Sequence, residues 1–114
     1  MADVPDRGDI IHLQFDPASG VEMKGPHLRL VVSSKLFNQQ GLAMVCPISQ
    51  GAAGASCRYA GGKPNGVRIR YPRGIHCHQL KALGWRVRKA KRKEGVSVTL
   101  MIEVIARLSA ILFD

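Results

Sequence analysis

From Met23 to Lys93 this chain contains no aspartate and no glutamate, yet the same 71 positions hold fifteen lysines and arginines. The absence excludes a carboxylate cage for a hard divalent cation anywhere in that stretch, because magnesium and calcium take oxygen ligands. A central active site has to work with His, Ser, Tyr, Arg or Lys, or borrow Asp16 or Glu22 from its upstream edge. Cysteine is scarce: Cys46, Cys57 and Cys77 are odd in number and widely spaced. That argues against a disulfide framework and for reduced thiols in a cytoplasm. No apolar run approaches the roughly 18–20 residues that cross a bilayer. The polar, acidic stretch from Met1 to Ile10 is not a secretory signal.

What is present fits one domain, residues 1–114, long enough for a core without disulfides. Hydrophobic residues make up 46% of the chain and the mean hydropathy is near zero, which predicts a globular, soluble protein. A net charge of +9 and a pI near 10.1 call for a negative partner: nucleic acid, an anionic membrane surface, or an acidic protein segment. Membrane binding would need a helix with a cationic face beside a wide apolar one. The one amphipathic helix, near the C-terminus, is not the cationic part, so a membrane is the weakest of the three.

Local patterns predict several antiparallel strands and then one helix. Asp9 to Phe15, Leu28 to Ser33, Leu42 to Ile48, Val67 to Tyr71 and Ile75 to Leu83 each read as strands. In the fourth, Arg68 and Arg70 share one face and Val67, Ile69 and Tyr71 the other. Asp16 to Pro26 and Gln50 to Asn65 read as long surface loops, a length that usually carries function. Trp85 to Lys93 is a basic run; its Lys89–Lys93 portion reads as a solvated charged turn, and its place after Trp85-Arg86-Val87-Arg88 favours a nucleic-acid role for it. Met101, Val104, Ile105, Leu108, Ile111 and Leu112 recur at three- and four-residue steps, which predicts a helix over 97–112. Ser97 or Thr99 can cap its start, and Glu103 and Arg107 form an i, i+4 pair.

Several motifs in order then align with a family. Arg7-Gly-Asp-Ile10, Phe15-Asp-Pro-Ala-Ser-Gly20 and Glu22-Met-Lys-Gly25 resemble the opening of the MazF/PemK (Kid) toxins. Val31-Val-Ser33, Phe37-Asn38, Cys46-Pro-Ile-Ser-Gln-Gly51, Arg58-Tyr-Ala-Gly61 and the segment from His78 to Arg88 continue the likeness, and 103–112 resembles the Kid-like C-terminal helix. The resemblance implies a mainly β fold, an SH3-like small barrel of antiparallel strands with a C-terminal helix, shared with CcdB-like toxins. It implies a homodimer that cuts single-stranded mRNA at short sequences without a metal or other cofactor, leaving 2′,3′-cyclic phosphate and 5′-hydroxyl ends. It also implies a cognate antitoxin whose acidic, disordered tail covers the RNA groove. Where many members carry Arg-Pro at the start of strand two, this chain has His27-Leu28. Val21 stands where Kid-like members have His, and His76-Cys77-His78-Gln79 stands where they flank a Cys with Arg and Asp. Ser49 occupies a position where the family has Thr or Ser.

Metal-free RNA cleavage needs a base for the 2′-hydroxyl, an acid for the leaving 5′-oxygen, and cations for the transition-state charge. Histidine serves either proton role near neutrality. The expected catalytic set is therefore His27 and His78, with His76 or Glu22 as substitutes, Arg29 on the scissile phosphate and Ser49 as a hydrogen-bonding group. On a continuous strand, His76 and His78 would share one face and Cys77 the other. Lys24, Arg68, Arg70, Gln79, Lys81, Trp85, Arg86 and Arg88 are the expected RNA contacts. Trp85 and Tyr59 are open to two readings, stacking platforms for unpaired bases or core packing. His76-Cys77-His78 has no further ligand at a zinc-like spacing. Two other functions stay open: a catalytically degenerate member that only binds RNA or the antitoxin, and a gyrase-poisoning toxin.

Overall fold

The longest strand organises the rest. The computed structural model describes residues 3–14, 28–49, 66–70 and 73–113, with the side chains of 66–70 and 73 left aside. Its elements are β1 (Asp9–His12), β2 (Leu28–Val31), α1 (Lys35–Asn38), β3 (Leu42–Ser49), β4 (Gly66–Arg70), β5 (Arg73–His76), a 3-10 turn (Cys77–Gln79), β6 (Lys81–Gly84), β7 (Lys91–Gly95) and α2 (Val98–Phe113). All described pairings are antiparallel. The path runs β4-β5-β3-β2-β1-β7, with β6 also paired to β3. The upstream half of β3 thus pairs β6 and its downstream end pairs β5.

Both faces of this sheet are apolar, and alternation along the strands divides the core in two. Ile10, Leu30, Val32, Cys46, Ile48 and Ile75 face α2, which sets Met101, Val104 and Leu108 against them. Ile11, Leu13, Val31, Ala43 and Val45 point the other way and enclose Trp85. α2 begins where Ser97 caps it, its hydroxyl accepting from Leu100 N at 3.1 Å. That places the helix one residue later at each end than the pattern predicts.

Four expectations need correction. The strand read over Ile75 to Leu83 is broken into β5, the 3-10 turn and β6. Three steps back along β3, from Ile48 to Val45, take the returning chain six steps forward, from Ile75 to Lys81. Three residues are surplus, and Cys77–Gln79 turn them out of the ladder, so His76 and His78 do not alternate with Cys77 along a strand. β1 and β2 end earlier than expected, at His12 and Val31. After Val31 the chain turns into α1, an unexpected short helix whose Ser34 hydroxyl accepts from Phe37 N. Lys91 to Lys93 is not a turn: it lies in β7, an exposed strand on β1, tied by Arg92 Nε to Asp9 Oδ1 at 3.0 Å. In β4, a register shift between Arg68 and Arg70 interrupts the alternation predicted there. The two predicted loops, Asp16 to Pro26 and Gln50 to Asn65, fall outside the described residues. Among the described residues no helix is long and apolar enough to cross a membrane.

Candidate active site

Register brings the polar candidates to one face. Arg29 of β2 pairs with Pro47 of β3, and directly opposed residues share a face. Ser49 is two residues beyond Pro47 and so stands on that face as well. His76 neighbours Ile75, which faces α2, so His76 points to the opposite side, beside Pro47. Lys81 pairs with Val45 and joins the same row. The face that encloses Trp85 at one end therefore becomes cationic and polar at the other, with Arg29, Ser49, His76 and Lys81.

Depth separates these groups. Arg29 is only 5% exposed and His76 8%. The Arg29 Nη1 donates to Leu28 O at 3.1 Å. Burial, and then the neighbouring positive charge of Arg88, push the Arg29 pKa below the usual arginine value. The guanidinium still stays charged, so the fold holds two cations close together at a poorly solvated position. Such a pair favours an incoming anion. His78 and Gln79, turned out by the 3-10 segment, are exposed. The His78 ring meets that of His76 edge to face, with centroids 5.5 Å apart. The Gln79 amide nitrogen lies 3.3 Å from His78 Nε2. The surplus residues thus keep the two histidines together, by ring contact rather than by strand alternation.

Trp85 is not a stacking platform. It is 1% exposed, and its indole nitrogen donates to Asn38 O at 2.8 Å. Asn38 was not among the expected site residues, but it is fully buried and donates to Pro5 O at 2.8 Å and to Ser33 O at 3.1 Å. It ties the N-terminal segment, α1 and Trp85 together and so anchors the basic turn. Phe37-Asn38 entered the sequence reading only as a motif shared with the family, and its burial depends on Pro5, Ser33 and Trp85, which are distant or outside that motif. Gly41 closes α1 onto β3 with φ +102, and its carbonyl accepts from Trp85 N at 3.2 Å. A side chain there would be strained by the backbone alone. Arg86 lies 4.7 Å from the centroid of the Trp85 ring and donates to Gln39 O at 2.9 Å, with its edge exposed. Arg88 is half-buried, and its carbonyl accepts from Gln14 N at 2.8 Å. His27, Glu22, Lys24 and Tyr59 lie outside the described residues, as do the side chains of Arg68 and Arg70. Among the described residues no group of three or more His, Cys, Asp or Glu could hold a metal ion.

A small antiparallel β fold with a C-terminal helix and a cationic, histidine-bearing face defines a class, and comparison with known proteins gives it a family. Residues 6–112 match the family described as PemK-like, MazF-like toxin of type II toxin-antitoxin system. This chain belongs to that family. It is 34% identical to the endoribonuclease PemK of Escherichia coli, over 94% of this chain and 81% of that protein. To the endoribonuclease toxin ChpB of Escherichia coli K12 it is 35% identical, over 93% and 92%. The crystal structure of MazE-MazF (Form-III) from Deinococcus radiodurans superposes with a TM-score of 0.73 at 26% identity, covering 96% of each chain.

Proposed function

We propose that this chain is the toxin of a toxin–antitoxin pair and a metal-independent, sequence-selective endoribonuclease acting on single-stranded mRNA in the cytoplasm. The observation that carries this reading is the shared face of Arg29, Ser49 and His76, with His78 beside it. The relatives named as endoribonucleases support the activity class. In the proposed reaction a histidine takes the 2′-hydroxyl proton, and the 2′-oxygen attacks phosphorus. The 5′-oxygen leaves with a proton from a second histidine, giving a 2′,3′-cyclic phosphate and a 5′-hydroxyl. His78, with His27 or His76, serves these two roles. Arg29 draws the scissile phosphate inward and Ser49 hydrogen-bonds it. Lys81, Gln79, Arg86 and Arg88, with Lys24, Arg68 and Arg70, hold the flanking strand.

The cognate antitoxin would compete for this cationic face with an acidic tail, a partner suggested by the MazE-MazF structures of the solved relatives. A homodimer is supported by α2. Beside its core stripe, Val98, Ile102, Ile105, Leu112 and Phe113 form a second apolar stripe left exposed in the single chain. The test is an RNA oligonucleotide digested in EDTA, with end-group analysis. Cleavage to cyclic-phosphate ends supports the reading, provided that His27→Ala or His78→Ala slows it. Tight binding without cleavage over hours would instead favour a binding-only member, the reading that the His27-Leu28 departure motivates.

A further inference from the structure

Two thiols in the core have no part in that reaction. Cys46, within β3, and Cys77, which opens the 3-10 turn, are buried to 0% and 1% exposure in the cluster beneath α2. Ile48 pairs with Ile75 at the end of the β3–β5 ladder, and the 3-10 turn that follows β5 sets Cys77 against β3, in the same cluster as Cys46. The two side chains touch. The Cys46 thiol hydrogen-bonds to Cys77, and that bond, then burial, then charge on Cys77 push the Cys46 pKa strongly upward. Cys46 therefore holds its proton, and Cys77, in the turn beside the exposed His78, is the sulfur that local opening brings to solvent first.

We propose that Cys46 and Cys77 form an oxidation-sensitive site that hydrogen peroxide converts to a disulfide, slowing RNA cleavage by shifting the turn that carries His78 and Gln79. The effect on cleavage rests on the nuclease reading above, whereas the disulfide does not. In the first step the Cys77 thiolate attacks one peroxide oxygen. The O–O bond breaks, and the departing hydroxide takes up the Cys77 proton as water, leaving a sulfenic acid. In the second, Cys46 attacks the sulfenic sulfur. The S–O bond breaks, the S–S bond forms, and the released hydroxide leaves as water with the Cys46 proton. Two thiols lose two electrons in all, and one peroxide becomes two waters. Burial makes the step slow in the closed protein and ties it to local opening.

The consequence follows from position. A disulfide draws two sulfurs to about 2.0 Å, well inside the spacing of a thiol hydrogen bond. Cys77 lies directly between His76 and His78, so the bridge pulls on the backbone that sets both rings. A misplacement of about 1 Å can cost roughly 100-fold in a catalytic step.

The test uses the Cys57→Ser chain, which retains only this pair. Hydrogen peroxide is applied to the folded protein and, separately, during refolding from guanidinium, so that slow access cannot hide a pair that fits. Expected are an intact mass lower by two hydrogens, loss of both titratable thiols, and cleavage reduced roughly 10- to 100-fold. All three should reverse with dithiothreitol. Adding Cys46→Ser should abolish the mass change and leave that variant's own cleavage rate unaltered by peroxide. Free thiols surviving both treatments, or mass gained as oxygen without a bridge, overturn the site. A bridge that leaves cleavage unchanged overturns the switch. If the reduced protein never cleaves RNA, the nuclease reading fails, while mass and thiol count still decide the disulfide.

Discussion

Arg29→Met should move stability and activity in opposite directions. In the RNA-free protein Arg29 is a desolvated cation with Arg88 as a like-charged neighbour, and both effects oppose its charge. Replacing a buried ionic group by an apolar one of similar volume is often neutral or stabilising by about 1–4 kcal/mol. The bond to Leu28 O and the other contacts that Arg29 makes reduce that gain. We expect a net gain of about 0–2 kcal/mol, or up to about 8 °C in Tm for a chain of this size. Activity should fall instead. Removing a donor aimed at transition-state charge typically costs about 100- to 1,000-fold in kcat. Arg29→Lys keeps the charge but loses the planar fork, so its activity should lie between the two. Thermal melts at one fixed protein concentration and initial rates on a fluorescent RNA in EDTA measure both quantities. A Tm lowered by more than about 8 °C with unchanged cleavage would refute the reasoning. Arg29 would then be a structural strut rather than a cation held for a phosphate.

Trp85→Ala should cost about 3–5 kcal/mol in urea unfolding, since it empties the second cluster and leaves Asn38 O without its indole donor. Asn38→Ala should cost about 1–3 kcal/mol in the same assay, by stranding the carbonyls of Pro5 and Ser33. The double change Lys91→Glu and Lys93→Glu lies on exposed strand positions and should alter stability by less than about 0.5 kcal/mol. If β7 tracks the strand, it should also weaken RNA binding and lower the salt slope by roughly 0.7 per lost phosphate contact. Ile102→Asp should yield monomer in sedimentation at concentrations where the parent chain is a dimer. A dimer in both cases would place the contact elsewhere than on α2.

How far the sequence reveals this site depends on whether a feature is local. The helix could be read because its apolar stripe carries its own period, and the cap at Ser97 belongs to the same few residues. The face of Arg29 could be read too, since alternation fixes which side of a strand a residue takes. Its depth could not, because depth depends on what lies across the sheet, and neither Pro47 nor Arg88 is near it in sequence. The turn at Cys77–Gln79 is the sharpest case. His76-Cys77-His78 alternates as a strand would, and nothing within it signals a departure. The surplus of three residues exists only relative to β3, as the mismatch between the Ile48–Ile75 and Val45–Lys81 registers. A pattern confined to one strand cannot encode a difference between two pairings. The closeness of the two histidines was therefore anticipated for the wrong reason. A continuous strand would have stacked His76 and His78 on one surface, with equal access to solvent. The turn instead buries His76 and exposes His78, setting one imidazole in the wall of the face and the other at its mouth. That asymmetry gives the two rings different environments, as separate acid and base roles require.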